Sequence, residues 1–150
     1  MVLRDAGEGD AEALAQLITQ FTNLATTAAQ IRQRLARSRD IEHPILAEID
    51  GNVAGFASLR LLNYLGEDAP YAEISELFVL ERYRRQGIAR ALMAELEVRA
   101  CAAGASSLTV LTAAENDPAI TLYGAMGFQK FSIALQKWLT EERPYRESQD

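Results

Sequence analysis

Apolar positions in the first third of the chain recur at helical spacing. Leu14, Leu17, Ile18 and Phe21 fall at i, i+3, i+4 and i+7 and form one stripe, with Asp10 placed to cap the helix that carries it. Thr27 and Gln30 have the spacing of a capping box, so a second helix opens there and continues through Ile31 and Leu35. Its other face carries Arg32, Arg34, Arg37 and Arg39 and reads as solvated. Residues 1–4 are short and apolar and predict an edge strand.

Beyond residue 44 the period shortens to that of strands. Residues 45–49 and 53–62 flank Asp50-Gly51-Asn52, and Asp-Gly supplies the positive φ values of a tight hairpin turn. A loop at 63–70, carrying Glu67 and Asp68, leads into a β-branched and aromatic run at 71–80. Connections this short predict antiparallel pairing among the three strands. Helical spacing returns at Gly87, with Ile88 and Leu92 on one face, and runs to about Ala103 before Gly104 stops it. Residues 108–111 predict a buried strand parallel to the one at 71–80, reached by a right-handed crossover. Asn116-Asp117-Pro118 predicts a helix start with Asp117 as cap and Pro118 in the first turn. That helix carries Ile120, Leu122 and Tyr123 and stops near Gly127; residues 131–139 alternate as a closing strand would, and the charged residues from 140 predict a frayed tail.

Length and composition narrow the class. A chain of 150 residues, 49% hydrophobic and 24% charged, fits one globular α/β domain spanning 1–150. A net charge of −6 argues against a nucleic-acid partner, which needs a basic footprint, and suits a cationic one. The single cysteine, Cys101, excludes an internal disulfide and fits a reducing compartment; its Ala-rich helix end predicts a small buried residue. His43, ahead of Pro44 at the mouth of a strand, predicts a surface loop position. No metal-ligand spacing, leader pattern or membrane-length apolar run occurs, so a cytoplasmic protein with no metal and no membrane partner is expected.

Three kinds of sequence follow one another without a gap between residues 73 and 93. An apolar strand with Glu73 and Glu76 gives way to a basic turn with Arg82, Arg84, Arg85 and Gly87, and then to the helix at Ile88. Strand, basic glycine turn and helix start are what a chain needs to hold a polyphosphate. The first N–H groups of a helix have no intrahelical partner, the helix dipole adds positive charge, and glycine lets the backbone approach the ligand.

Arg84-Arg85-Gln86-Gly87-Ile88-Ala89 resembles the Arg/Gln-x-x-Gly-x-Gly/Ala signature of the GNAT superfamily, N-acetyltransferases that use acetyl-CoA. Leu-Tyr-Gly-Ala-Met-Gly-Phe at 122–128 is similar to that family's C-terminal signature, and the resemblance extends over nearly the whole chain. It implies a central mixed sheet with splayed parallel strands, flanked by helices. It further implies that Leu77, Phe78 and Val79 pair with the pantetheine arm, that the amides from Arg84 through Arg85, Gln86, Gly87, Ile88 and Ala89 to Arg90 cradle the pyrophosphate, and that Asn116, Ala119 and Tyr123 line the cofactor. The segment 21–26 lies where family members build the acceptor pocket. Homodimers are common in the family, which implies a dimer here.

Acetyl transfer to an amine poses two proton problems. An amine with a pKa near ~10.4 is only about 0.04% free base at pH 7, a penalty of roughly 4–5 kcal/mol. Glu73 and Glu76 are the candidate bases, but strand alternation puts them on opposite faces unless a bulge re-aims the backbone. Family members often carry such a bulge, and many have a carboxylate where this chain has Ser75; Glu76 is preferred to Glu73. For the departing thiolate, Tyr123 matches the family's general acid. The implied activity is direct acetyl transfer in a ternary complex to a small-molecule or peptide amine. The alternative is an acyl-CoA-binding sensor without catalysis, which loss of Tyr123 or of every carboxylate on the central strand would mark. A phosphate-loop hydrolase is set aside because the loop lacks a Lys-Ser/Thr ending.

Overall fold

The strands carry apolar side chains on both faces, so one sheet is covered twice. The computed structural model describes residues 1–140. In chain order the elements are β1 (Val2–Asp5), α1 (Ala11–Thr22), α2 (Ala28–Ser38), β2 (Glu42–Ile49), β3 (Asn52–Leu62), β4 (Tyr71–Val79), α3 (Ile88–Ala102), β5 (Leu108–Val110) and α4 (Asp117–Ala125). The sheet order is β1-β2-β3-β4-β5, antiparallel from β1 to β4, with β5 parallel to β4. This is the mixed, helix-flanked sheet expected from the sequence. The hairpin turn is as read: Asp50 and Gly51 take φ of 50° and 77°. Thr27 and Gln30 form the capping box of α2, and Gly104, at φ 84°, ends α3.

Alternation along β3 divides the core. Ala57 and Leu59 face α3, where they meet Ile88, Leu92, Met93 and Leu96. Phe56 faces the other way, against Leu14 and Leu17 of α1 and Ile31 of α2. Each fully buried leucine contributes about 1.5–3 kcal/mol. Gly55 is required where β3 lies against β4, because a Cβ there would stand 2.6 Å from the Phe78 carbonyl oxygen and 3.1 Å from Val79 Cα. Gly55→Ala is therefore expected to lower stability by about 1–3 kcal/mol, measured by urea unfolding.

Six expectations are corrected. The strand read as buried at 108–111 is β5 at Leu108–Val110, whose residues are only half-buried, and Leu111 is 62% exposed. Asp10 sits at the N-cap of α1 but makes no capping bond; its carboxylate accepts from both terminal nitrogens of Arg4 and from the Gly7 amide. Asn116, not Asp117, caps α4, accepting from the Ala119 amide at 3.3 Å. His43 lies inside β2, which starts at Glu42 and tolerates Pro44 because β1 pairs only as far as Ile45. Cys101 is exposed. Residues 131–139 form no strand: Phe131, Ile133, Leu135 and Leu139 are 99%, 88%, 94% and 89% exposed. The neighbouring β5 offers only a three-residue edge, too short a template for a nine-residue strand. The tail expected from 140 lies, past that residue, outside the described residues.

Among the described residues, no helix is long and apolar enough to cross a membrane.

Candidate active site

The two inner strands part company halfway along β4. Only Ala72, Glu73 and Ile74 pair with β5, opposite Leu108, Thr109 and Val110. At that point β4 also gains a residue against β3: Ser58 pairs with Glu76 and Leu59 with Ile74, which leaves Ser75 as the extra residue of a bulge. The bulge shifts the alternation by one. Ala72, Ile74, Leu77 and Val79 all join the core beneath α3, while Phe78 joins the core beneath α1 and α2. Glu73 and Glu76, paired with Arg60 and Ser58, consequently share the face opposite α3.

On that face, polar and apolar rows succeed one another. Leu46, Phe56 and Phe78 lie side by side under the helices, and Phe21 of α1 rests on both phenylalanines at 6.1 and 5.5 Å between ring centroids. The next row is Pro44, Ser58 and Glu76, and the one after is Glu42, Arg60 and Glu73. Glu73 is 8% exposed, and both its oxygens are engaged, by Arg60 Nη1 at 3.1 Å and the Tyr71 hydroxyl at 2.7 Å. Glu76 makes no hydrogen bond or ion pair among the described residues. Burial, and next the charge of Glu42, push its carboxyl above the usual glutamate range, against the pull of Arg60 and Arg34. Of the two candidate bases, Glu76 is the one whose oxygens are available.

On the other side of the split, α3 begins at Ile88 with Gly87 as its N-cap. Gly87 takes φ 82°, and Arg85 takes φ 63°, so the chain turns sharply before the helix. The first intrahelical acceptor is the Gly87 carbonyl, taken by Ala91 at 3.0 Å, and no side chain caps the amides of Ile88, Ala89 and Arg90. A Cβ at Gly87 would meet no atom within 4 Å, so the space beside this residue at the helix start is open. Arg84, Arg85, Gln86 and Arg90 are exposed around it. A diphosphate fits this arrangement of unpaired N–H groups, helix dipole and guanidinium groups. Along the free edge of β4, the Val79 carbonyl accepts from Arg84 Nε at 3.0 Å and keeps its second lone pair.

Tyr123 lies on the third side. It packs against the core beneath α3, its ring 5.9 Å from that of Phe128, and its hydroxyl makes no hydrogen bond among the described residues. Burial raises its phenol above the ordinary tyrosine value, so it stays protonated through neutral pH. Tyr123 belongs to the core on the α3 side of the sheet, whereas Glu76 lies on the opposite face. Asn116 is exposed at the N-cap of α4, with its side-chain oxygen committed to Ala119.

Glu42, Ser58, Ser75 and Arg60 went unnoticed in the sequence as a group. Glu42 accepts from Ser58 Oγ, Ser75 Oγ and Arg60 Nε, each at 2.6 Å. The apolar phase of β4 was the available signal: it moves from even positions, 72 and 74, to odd ones, 77 and 79.

The sequence model of the acetyltransferase (GNAT) family matches residues 11–128. An N-alpha-acetyltransferase of Sulfurisphaera tokodaii is 29% identical over 107 residues, which are 67% of this chain and 64% of that protein. The chain thus spans somewhat less than two thirds of that relative's length. Among solved structures, a putative acetyltransferase from Agrobacterium tumefaciens superposes with a TM-score of 0.84 at 23% identity, covering 92% of this chain and 99% of the other. An aminoglycoside antibiotic 6'-N-acetyltransferase from Acinetobacter haemolyticus reaches 0.75 at 19% identity, covering 95% and 100%.

Proposed function

Because the chain belongs to the acetyltransferase (GNAT) family, we propose that it is an enzyme moving an acetyl group from acetyl-CoA to a primary amine by direct attack in a ternary complex. The observation that carries this reading is the open, uncapped start of α3 beside a β4 edge that β5 leaves unpaired. Acetyl-CoA, as donor substrate, supplies the thioester carbon that the amine attacks and the thiolate that leaves. The amides of Gly87, Ile88, Ala89 and Arg90 hold the pyrophosphate, with Arg84, Arg85 and Gln86 beside them. The edge of Leu77, Phe78 and Val79 aligns the pantetheine arm, and Ala119 and Asn116 flank it from α4.

Two residues handle protons. Glu76 takes one from the acceptor ammonium, directly or through water, and Tyr123 gives one to the sulfur. The acceptor is a small-molecule or peptide amine. Glu42, Glu73 and Glu76 on one face, with exposed Glu67 and Asp68 on the preceding loop, favour a cationic one. A relative named N-alpha-acetyltransferase agrees with an amine acceptor. Release of the CoA thiol, followed across a panel of amines, tests the proposal; CoA binding without release for any amine would leave a non-catalytic binding module in its place.

The two carboxylates are separable. Glu76→Gln is expected to lower kcat/KM about 100-fold or more at neutral pH and to remove its acidic limb. Since the Glu76 carboxyl lies above the usual range and must be ionised to accept a proton, that limb falls above ~4.3 in the wild type. Glu73→Gln removes its charge and one of its acceptors for Arg60 and Tyr71 but keeps the limb. Rates measured from acid to neutral pH distinguish them, and retention of the limb in Glu76→Gln would move the base elsewhere.

A further inference from the structure

The carboxylate of Glu42 is the best-anchored acid on the face that carries Glu76, although it stands two strands away. Three observations define its position. Ser58 is buried, and its cross-strand neighbour on β2 is Pro44, which has no polar side chain to offer, so its hydroxyl turns to Glu42. Ser75, the extra residue of the β4 bulge, reaches over β3 to donate to the same oxygen at 2.6 Å. Arg60 Nε closes on the other oxygen at 2.6 Å while its Nη1 binds Glu73. The clamp ties β2, β3 and the bulge of β4 into one rigid set.

We infer that Glu42 is a positioning residue for Glu76: bound to Ser58, the cross-strand partner of Glu76, to Ser75, its neighbour in the bulge, and to Arg60, it fixes a negative charge on the face of Glu76 and so governs how readily Glu76 takes a proton from the acceptor amine. This rests on the proposed role of Glu76. The two carboxylates have been driven apart. Burial pushes Glu42 up, but the hydrogen bonds from Ser58, Ser75 and Arg60 outweigh it and hold the group below the usual glutamate range. Glu76 is pushed the other way, by burial and then by Glu42. An acid that stays ionised beside one whose proton affinity is raised is a standard division of labour for acid–base work. The charges facing Glu76 are Glu42 from β2, Arg60 from β3 and Arg34 from α2, with Glu73 beyond Arg60 on β4 itself. Arg60 is shared between Glu42 and Glu73, so it does not neutralise the set.

The experiment is the pH profile of kcat/KM for Glu42→Gln and Glu42→Asp, beside wild type and Glu76→Gln. Both serines donate to one oxygen of Glu42, so glutamine keeps an acceptor for them, and CoA affinity together with thermal melting reports whether the fold is intact. In Glu42→Gln the acidic limb is expected at lower pH, because removing a negative charge makes a proton less welcome on Glu76. Glu42→Asp, which restores the charge, returns the limb towards its wild-type position. Equal loss at every pH in Glu42→Gln, with the limb unmoved, would leave Glu42 a purely structural acid and overturn the inference. Failure of the wider reading looks different: Glu76→Gln would then retain the limb.

Discussion

Gly87→Glu is expected to weaken CoA binding at least about 100-fold while the fold survives. The glycine is exposed at the N-terminus of α3, and a Cβ there meets nothing within 4 Å, so the substitution displaces no packed atom. Its cost to the free protein is the positive φ of 82°, which a glutamate adopts at roughly 1–2 kcal/mol. Its cost to the complex is larger. A carboxylate would occupy the space before the unpaired amides of Ile88, Ala89 and Arg90, take up the helix-end charge itself, and oppose the pyrophosphate. Like charges juxtaposed in an interface cost several kcal/mol, so affinity should fall at least about 100-fold. Gly87→Ala separates the two effects, since it keeps the backbone strain and adds no charge or reach; it should cost stability and leave most of the affinity. Calorimetric titration of CoA against each variant, with melting temperature alongside, reads both. Unchanged affinity in Gly87→Glu would remove the helix start from the binding site.

Local chemistry made most of the scaffold legible. Asp50-Gly51 can hardly be anything but a hairpin turn, Thr27 and Gln30 close on each other within one turn, and Gly87 and Gly104 bracket a helix by their backbone freedom. What stayed hidden depends on partners remote in sequence. Asp10 is a good cap by residue type, but Arg4 on β1 offers it a charged, two-pronged alternative. His43 read as a surface loop position because Pro44 follows it. Only the end of β1 at Asp5, opposite Ile45, explains why proline is harmless there and lets the strand begin early. Alternation at 131–139 is a real pattern that the three residues of β5 leave without a ladder. Pattern reports which face a residue could present, and register decides whether anything is there to receive it.

The site shows the same division. Its basic turn and the C-terminal Tyr123 were visible as motifs. The relation between Glu73 and Glu76 stayed open, because strict alternation separates them unless a bulge intervenes, and the inserted residue Ser75 is what reunites them. That residue, Ser75, sits where many members of the family carry a carboxylate, and its hydroxyl is bound to Glu42. A carboxylate therefore stands behind the serine, delivered from β2. The bulge also coincides with the last β4–β5 pair, Ile74 with Val110, so one irregularity both brings Glu76 to the face of Glu73 and marks where the sheet opens.

Tyr123→Phe is expected to reduce turnover by about 100- to 10,000-fold with CoA affinity within about twofold of wild type. The phenol hydroxyl has no hydrogen-bond partner among the described residues, so its removal orphans no buried group and should cost little stability. The ring keeps its packing against Phe128 and the core beneath α3. What is lost is the phenol proton proposed to reach the sulfur. A thiol titrates near ~8.5 and a phenol near ~10, and burial raises the phenol of Tyr123 further, so full transfer to a free thiolate is uphill. The donor must therefore act while the carbon–sulfur bond breaks, when the sulfur is becoming basic, and its contribution appears in kcat and hardly in binding. The raised phenol has a second consequence. Any basic limb due to Tyr123 lies above pH ~10, so from neutral pH to there Tyr123 itself adds no pH dependence to the wild-type rate, and the phenylalanine variant should run roughly parallel below it. Single-turnover kinetics and CoA titration separate the two quantities: equal losses in rate and affinity would make Tyr123 a binding residue, and an unchanged rate would hand the proton to solvent.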